Sequence, residues 1–159
     1  MLLFDSPTRR QIDTALAVLR IALGVTFILH GGQKLFVFGF SGVSGAFAQM
    51  GIPAPGLLGP FVAFVEFFGG IAILFGLLTR LAALGISATM VVAILTVHLK
   101  NGFFAPTGIE FPLSLLASAI ALIVAGAGDF SLDALIGKKL TANTGESNAA
   151  ARERARRAA

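Results

Sequence analysis

Four apolar runs, at residues 13–38, 57–78, 80–99 and 110–127, decide what this 159-residue chain can fold into. Each is close to the ~20 residues that a helix needs to cross a hydrocarbon core. A soluble domain of this length has no interior able to hide four such runs, so the solvent they are built for is lipid. The expected fold is all-α, an integral membrane four-helix bundle with antiparallel neighbours. Composition agrees, because 56% of residues are hydrophobic and only 13% charged. The mean hydropathy of +0.89 lies far above that of an ordinary soluble domain.

The breaks between runs set the connections. SGVSGAFAQMGIPAPG, at 41–56, carries glycines and two prolines but no charge, and reads as a loop with a short interface-lying turn over 43–50. Leu78-Thr79-Arg80 is so brief that it forces a hairpin, with Thr79 as its N-cap. KNGFFAPTG joins the last two runs.

Positive charge then orients the bundle. Arg9 and Arg10 precede the first run, Arg80 sits in the second break, and Lys138 and Lys139 follow the fourth. The expected location is the bacterial inner membrane with both termini cytoplasmic. Residues 1–12 form the N-terminal segment, 13–136 the membrane domain, and 137–159 a basic tail expected to be disordered. The first run reads as a retained span, because Arg20 interrupts it and no small-residue cleavage pattern follows.

Charge and cysteine usage exclude several function classes. Between 14 and 136 the charges are Arg20, Lys34, Glu66, Arg80, Lys100, Glu110, Asp129 and Asp133, which cancel. The net +4 belongs to the tail, so it gives no reason to expect nucleic acid as a partner. With no cysteine, the chain cannot form disulfides or hold thiolate metal centres, and any redox role falls to a bound cofactor or a partner.

Charged groups inside a bilayer each cost of order 2.5–3.5 kcal/mol, so each one within a span marks a candidate site. His30 lies about 12 Å from the end of the first run and Glu66 about 13.5 Å from the start of the second, hence at matching depth. Lys34 and His98 sit slightly shallower. His30, Gln33 and Lys34 are spaced i, i+3, i+4 along one helix face, and Glu66 is followed by Gly69 and Gly70, which admit a close neighbour. The expected ligand-binding pocket is therefore His30, Gln33, Lys34, Glu66 and His98, in the outer half of the bundle.

Each residue also has a plainer role open to it. Glu66 and His30 can serve as bundle-stabilising polar contacts, Lys34 can snorkel to the interface, and His98 with Lys100 can lie at the headgroups. Arg20, Glu110, Asp129 and Asp133 read as structural. Glu110 would close a capping box with Thr107, with Pro112 favouring a later helix start. Asp129 and Asp133 can supply a counter-charge for Arg20, and Ser131 can cap a short helix over 132–136. No metal site is expected, since the histidines lack the HxxxH or ExxH spacing. A weak echo links HGGQKLF in the first run to HLKNGFF in the third.

The combination of Arg20 with Gly24, HGGQKL at 30–35, EFFGG at 66–70 within EFFGGIAILFGLLTRLAAL, and GAGDFSLD at 126–133 resembles the DoxX family of small bacterial four-helix membrane proteins, over roughly residues 15–136. Ala127 and Phe130 stand where the family often has Pro and Tyr. The resemblance implies a subunit of a quinone-linked oxidoreductase system, with quinone as the ligand, no covalently bound cofactor, and soluble redox proteins or other membrane subunits as partners beside the bilayer. His30, Lys34 and Glu66 would carry that role. A non-catalytic scaffold or assembly factor and a small-solute or proton carrier are the alternatives, and homo-oligomerisation is left open.

Overall fold

A computed structural model describes residues 5–142 and 144. Its fold is all-helical. Helix α1 (Arg9–Gly32) continues through a π-helical turn, Gln33–Phe38, into α2 (Gly39–Gln49). Helices α3 (Pro55–Phe75) and α4 (Thr79–Ala93) follow, and α4 runs through a second π-helical turn, Ile94–His98, and a short 3₁₀ turn, Leu99–Asn101. Helix α5 (Glu110–Ala125) and a C-terminal helix α6, over residues 132–142, complete the described chain. The helix expected after Ser131 thus extends past 136, and the tail beyond it lies outside the described residues.

Three of these stretches are long and apolar enough to cross a membrane: Arg9–Gln49, Pro55–Phe75 and Thr79–Asn101. Helix α5 is equally apolar but has 16 residues, about 24 Å of rise. It stops earlier than the apolar run does, because Gly126 takes φ +81° and breaks the helix. The outer surface suits lipid, with Val18, Leu29, Phe36, Leu57, Leu95 and Val124 all more than 60% exposed. Such a surface would drive aggregation in water.

Helix α1 packs on α3 and α5, and α4 packs on α3 and α5, closing a ring of four. Its centre is Leu23 and Phe27 of α1, Ile73 of α3, Ala83, Ile86 and Met90 of α4, and Ala119 and Leu122 of α5. The α1–α3 contact is backbone on backbone. A Cβ on Gly31 would lie 2.3 Å from the Phe67 nitrogen, and one on Gly70 would lie 2.7 Å from the Ile28 nitrogen. Apolar matter gains nothing by leaving lipid tails, so close van der Waals approach through small residues is what holds such helices together.

The segment expected as a loop over 41–56 is mostly helix. Gly39, at φ +66°, interrupts the helix after the π-helical turn, and α2 goes on along α3 with Val43 buried against Gly59. At the opposite end of the bundle, α3 closes at Gly76 (φ +67°), where the Leu77 amide bonds the Ala72 carbonyl at 2.8 Å. The 6→1 bond is a Schellman ending, and only three residues, 76–78, separate α3 from α4.

Two expected caps are replaced. Thr79 is the first residue of α4 and not its cap; the Leu78 and Thr79 amides instead donate to Asp133 at 2.7 and 3.0 Å. The cap comes from 54 residues away in sequence, beyond the reach of any local motif. Helix α5 begins at Glu110 with no side-chain cap, and Glu110 accepts from the Ala105 amide at 2.8 Å. Thr107 forms no capping box. Pro112 sits in the first turn, where its missing N–H removes no helical bond.

Candidate functional site

Gly31, wedged against Phe67, fixes how α1 faces α3, and the fates of the polar residues follow from it. At about 100° per residue, Lys34 lies some 60° from Gly31, still on the α3 side. Its flexible stem reaches Glu66, and the two form an ion pair. The Glu66 side chain is 5% exposed and that of Lys34 22% exposed. A charge so buried is tolerable because it is paired.

The same geometry removes two expected members. His30, about 100° from Gly31, turns toward α5, where its exposed ring stands 6.5 Å from that of Phe111. Gln33, about 160° away, is exposed on the far face. Depth counting was sound, since Gly31 abuts the residue after Glu66. The angle around the axis separates these side chains, and depth carries no information about it.

Lys34 and Glu66 form one wall of a cavity of about 440 Å³ enclosed by α3, α4 and the second π-helical turn. Phe47 of α2 and Met50 and Ile52 of the following loop also line it, so α2 has a positional role that sequence did not suggest. Phe61, Val62, Val65 and Val92 make its walls apolar, while Thr89 and Thr96 add hydroxyls. Both hydroxyls already donate to carbonyls of their own helix, from Ile86 and Val92.

His98 also lines this cavity. Its Nδ1 lies 2.8 Å from the Thr107 carbonyl, and a carbonyl only accepts, so Nδ1 carries the hydrogen. The neutral ring then keeps Nε2 as a free acceptor. The cavity thus holds a cation, a carboxylate and an imidazole in otherwise apolar walls. Lys34 lies in the first π-helical turn and His98 ends the second, and such turns occur often where helices build sites.

Three of the expected structural residues, Arg20, Asp129 and Asp133, gather at the other end, whereas Glu110 stays at the start of α5. Arg20, 3% exposed, has no carboxylate within 4 Å among the described residues, though Asp133 lies near enough to act on its charge; its guanidinium donates to the Leu74 carbonyl at 3.5 Å and to that of Phe130. Asp129 instead pairs with Arg9 at 3.7 Å, while Asp133 is committed to the α3–α4 turn. Ser131 caps α6 as expected, accepting from the Ala134 amide at 3.1 Å. Asp13, which the sequence reading passed over, is buried and accepts from the Asp129 amide at 3.0 Å. Its position at the very start of the first run was the available signal.

The comparisons with known proteins agree with this architecture. The DoxX family model matches residues 15–99, which include Arg20, Lys34, Glu66 and His98. Inner membrane protein YqjF of Escherichia coli is 36% identical over 131 residues, covering 80% of this chain and 95% of its own. CatD of Bacillus subtilis, named as a candidate oxidoreductase, is 32% identical over 133 residues, covering 82% of this chain and 94% of its own. The uncharacterized membrane protein Rv3486 of Mycobacterium tuberculosis is 33% identical over 135 residues, covering 78% and 82%. No solved structure matches the chain. By the matched model and the extent of these similarities, the chain belongs to the DoxX family.

Proposed function

We propose that this protein is a four-span component of a redox system in the bacterial inner membrane, with both termini cytoplasmic, and that the cavity beside Lys34 and Glu66 receives a quinone headgroup. The observation that carries the reading is the buried Lys34–Glu66 pair on the wall of a 440 Å³ apolar cavity. That volume falls within the usual range for small-molecule sites, where a few polar groups in apolar walls fix orientation. The name of CatD, which shares 32% identity, supports the redox part. The positive-inside pattern of Arg9, Arg10 and Arg80 supports the orientation.

The donor set fits an oxygen-bearing ring. Lys34 presents N–H donors to a carbonyl oxygen and stabilises negative charge that develops there, as preorganised cations do in other sites. Glu66 holds the Lys34 ammonium in place and can accept a proton. His98 offers Nε2 as an acceptor for a hydroxyl. The apolar walls exclude water and strengthen each of these contacts. A quinone, when bound, supplies two-electron redox chemistry coupled to protons, which no side chain of this cysteine-free chain provides. Soluble redox proteins or other membrane subunits would exchange electrons with it.

Purified protein extracted with organic solvent tests the proposal. Quinone is expected in the extract, reduced at least severalfold by Glu66→Gln in protein that remains folded. Absence of quinone, with no uptake when quinone is added back, would overturn the reading in favour of a scaffold.

A further inference from the structure

A second hollow, of about 420 Å³, lies on the lipid-facing seam between α3 and α4. It shares Val65 and Gly85 with the cavity above, so the two adjoin at that contact. From this junction the hollow runs away from Lys34, along Gly69 on α3 and Ala82 and Leu81 on α4. Four residues separate Gly85 from Leu81, a rise of about 6 Å. One bank is aromatic: the Phe64 and Phe68 rings stack at 5.9 Å with an interplanar angle of 14°. No charged residue lines it.

Resting on the quinone reading, we infer that the ligand is isoprenoid-tailed and that its tail leaves the cavity over the Val65–Gly85 contact to lie along the α3–α4 seam. The polar groups of the cavity, Lys34, Glu66 and His98, lie to the other side of the junction, which places the head there and leaves only apolar surface for the tail. Gly85 keeps that contact low. A Cβ there would stand 3.2 Å from Val65 Cγ1, so any larger side chain raises a barrier across the seam. Small residues at 69, 82 and 85 keep the seam shallowly concave, and the phenyl bank offers flat faces to the methyl groups of a prenyl chain. A tail moving from lipid into this seam gains no hydrophobic free energy. Its gain is shape-dependent dispersion contact, so the seam selects for tail type and directs how the head enters.

The test uses the full chain in phosphatidylcholine nanodiscs and two probes: a dimethoxy-methylbenzoquinone without a tail, and the same head with a two-unit isoprenoid tail. Binding is read by thermal stabilisation against probe concentration in the bilayer, which removes the effect of partitioning. The wild-type protein is expected to bind the tailed probe about tenfold more tightly. Gly85→Leu is expected to abolish that advantage, and, because Gly85 also lines the cavity, unchanged binding of the tail-less probe is read in Leu81→Trp. Leu81→Trp does the same from the lipid side; Leu81 is 65% exposed, so this variant keeps the test intact if Gly85→Leu fails to fold. A tailed-probe advantage that survives both substitutions, or is absent from the wild type, overturns the tail assignment and leaves the cavity reading standing. Failure of the wild type to bind either probe overturns both.

Discussion

Gly31 and Phe67 meet with no room for a side chain between them, since a Cβ on Gly31 would fall 2.3 Å from the Phe67 amide nitrogen. The contact sets how α1 is rotated against α3, and that rotation delivers Lys34 to Glu66 while turning His30 and Gln33 elsewhere. One glycine therefore sorts the polar residues of the HGGQK segment.

Gly31→Ala is expected to destabilise the protein by at least about 2 kcal/mol, because backbone has to move to admit the methyl group. Gly32→Ala should be nearly neutral, since its Cβ would find its nearest neighbour at 3.6 Å, an ordinary contact. Thermal denaturation of both variants in one detergent separates them. Equal loss would contradict the described α1–α3 contact.

Lys34→Met leaves the Glu66 carboxylate buried without its partner, and we expect a loss of about 2 kcal/mol, below the about 3–5 of fully buried pairs because Lys34 keeps a path to water. The double variant Lys34→Met/Glu66→Leu should recover much of that loss. A double-mutant cycle by denaturant unfolding measures the coupling. Additive effects would show that the pair contributes nothing.

Asp133→Ala removes the acceptor of two amides at the α3–α4 turn, with an expected loss of about 1–2 kcal/mol. Hydrogen exchange should accelerate at Leu78 and Thr79 and not in the centre of α4. Asp133→Asn, retaining one oxygen acceptor, should fall between.

Arg20→Lys should fail to replace the arginine. The guanidinium bonds carbonyls from two separate segments, at Leu74 and Phe130, and a single ammonium has no fork with which to span them. Gly76→Ala should be as damaging, since its Cβ would meet the Arg20 guanidinium at 2.2 Å and its φ is +67°. Unfolding of both, compared with a Thr107→Ala control whose hydroxyl caps nothing, checks this.

The sequence showed the helical class and the main apolar stretches because hydropathy over twenty residues sums many weak preferences into one strong signal. It showed Glu66, Lys34 and His98 because charge is expensive in lipid wherever it occurs. The helix rotation was hidden, since it depends on which glycine touches which backbone, and so His30 and Gln33 were placed wrongly in the cavity. Helix α2 was hidden by its glycines and serines, which lower local helix propensity while packing on α3 supplies what propensity lacks. Partners remote in sequence, Asp133 with Leu78 and Asp13 with Asp129, left no local mark.

The trans cap at the α3–α4 turn also bears on biogenesis. Synthesis runs from the N-terminus, so Leu78 and Thr79 leave the ribosome more than fifty residues ahead of the aspartate that bonds them. Until that aspartate emerges, the hairpin holds two unmet donors beside a left-handed Leu78 at φ +48°. Helix α6 is thus a latch: the earlier spans can enter the membrane in turn, but their turn is secured only once Asp133 has followed them.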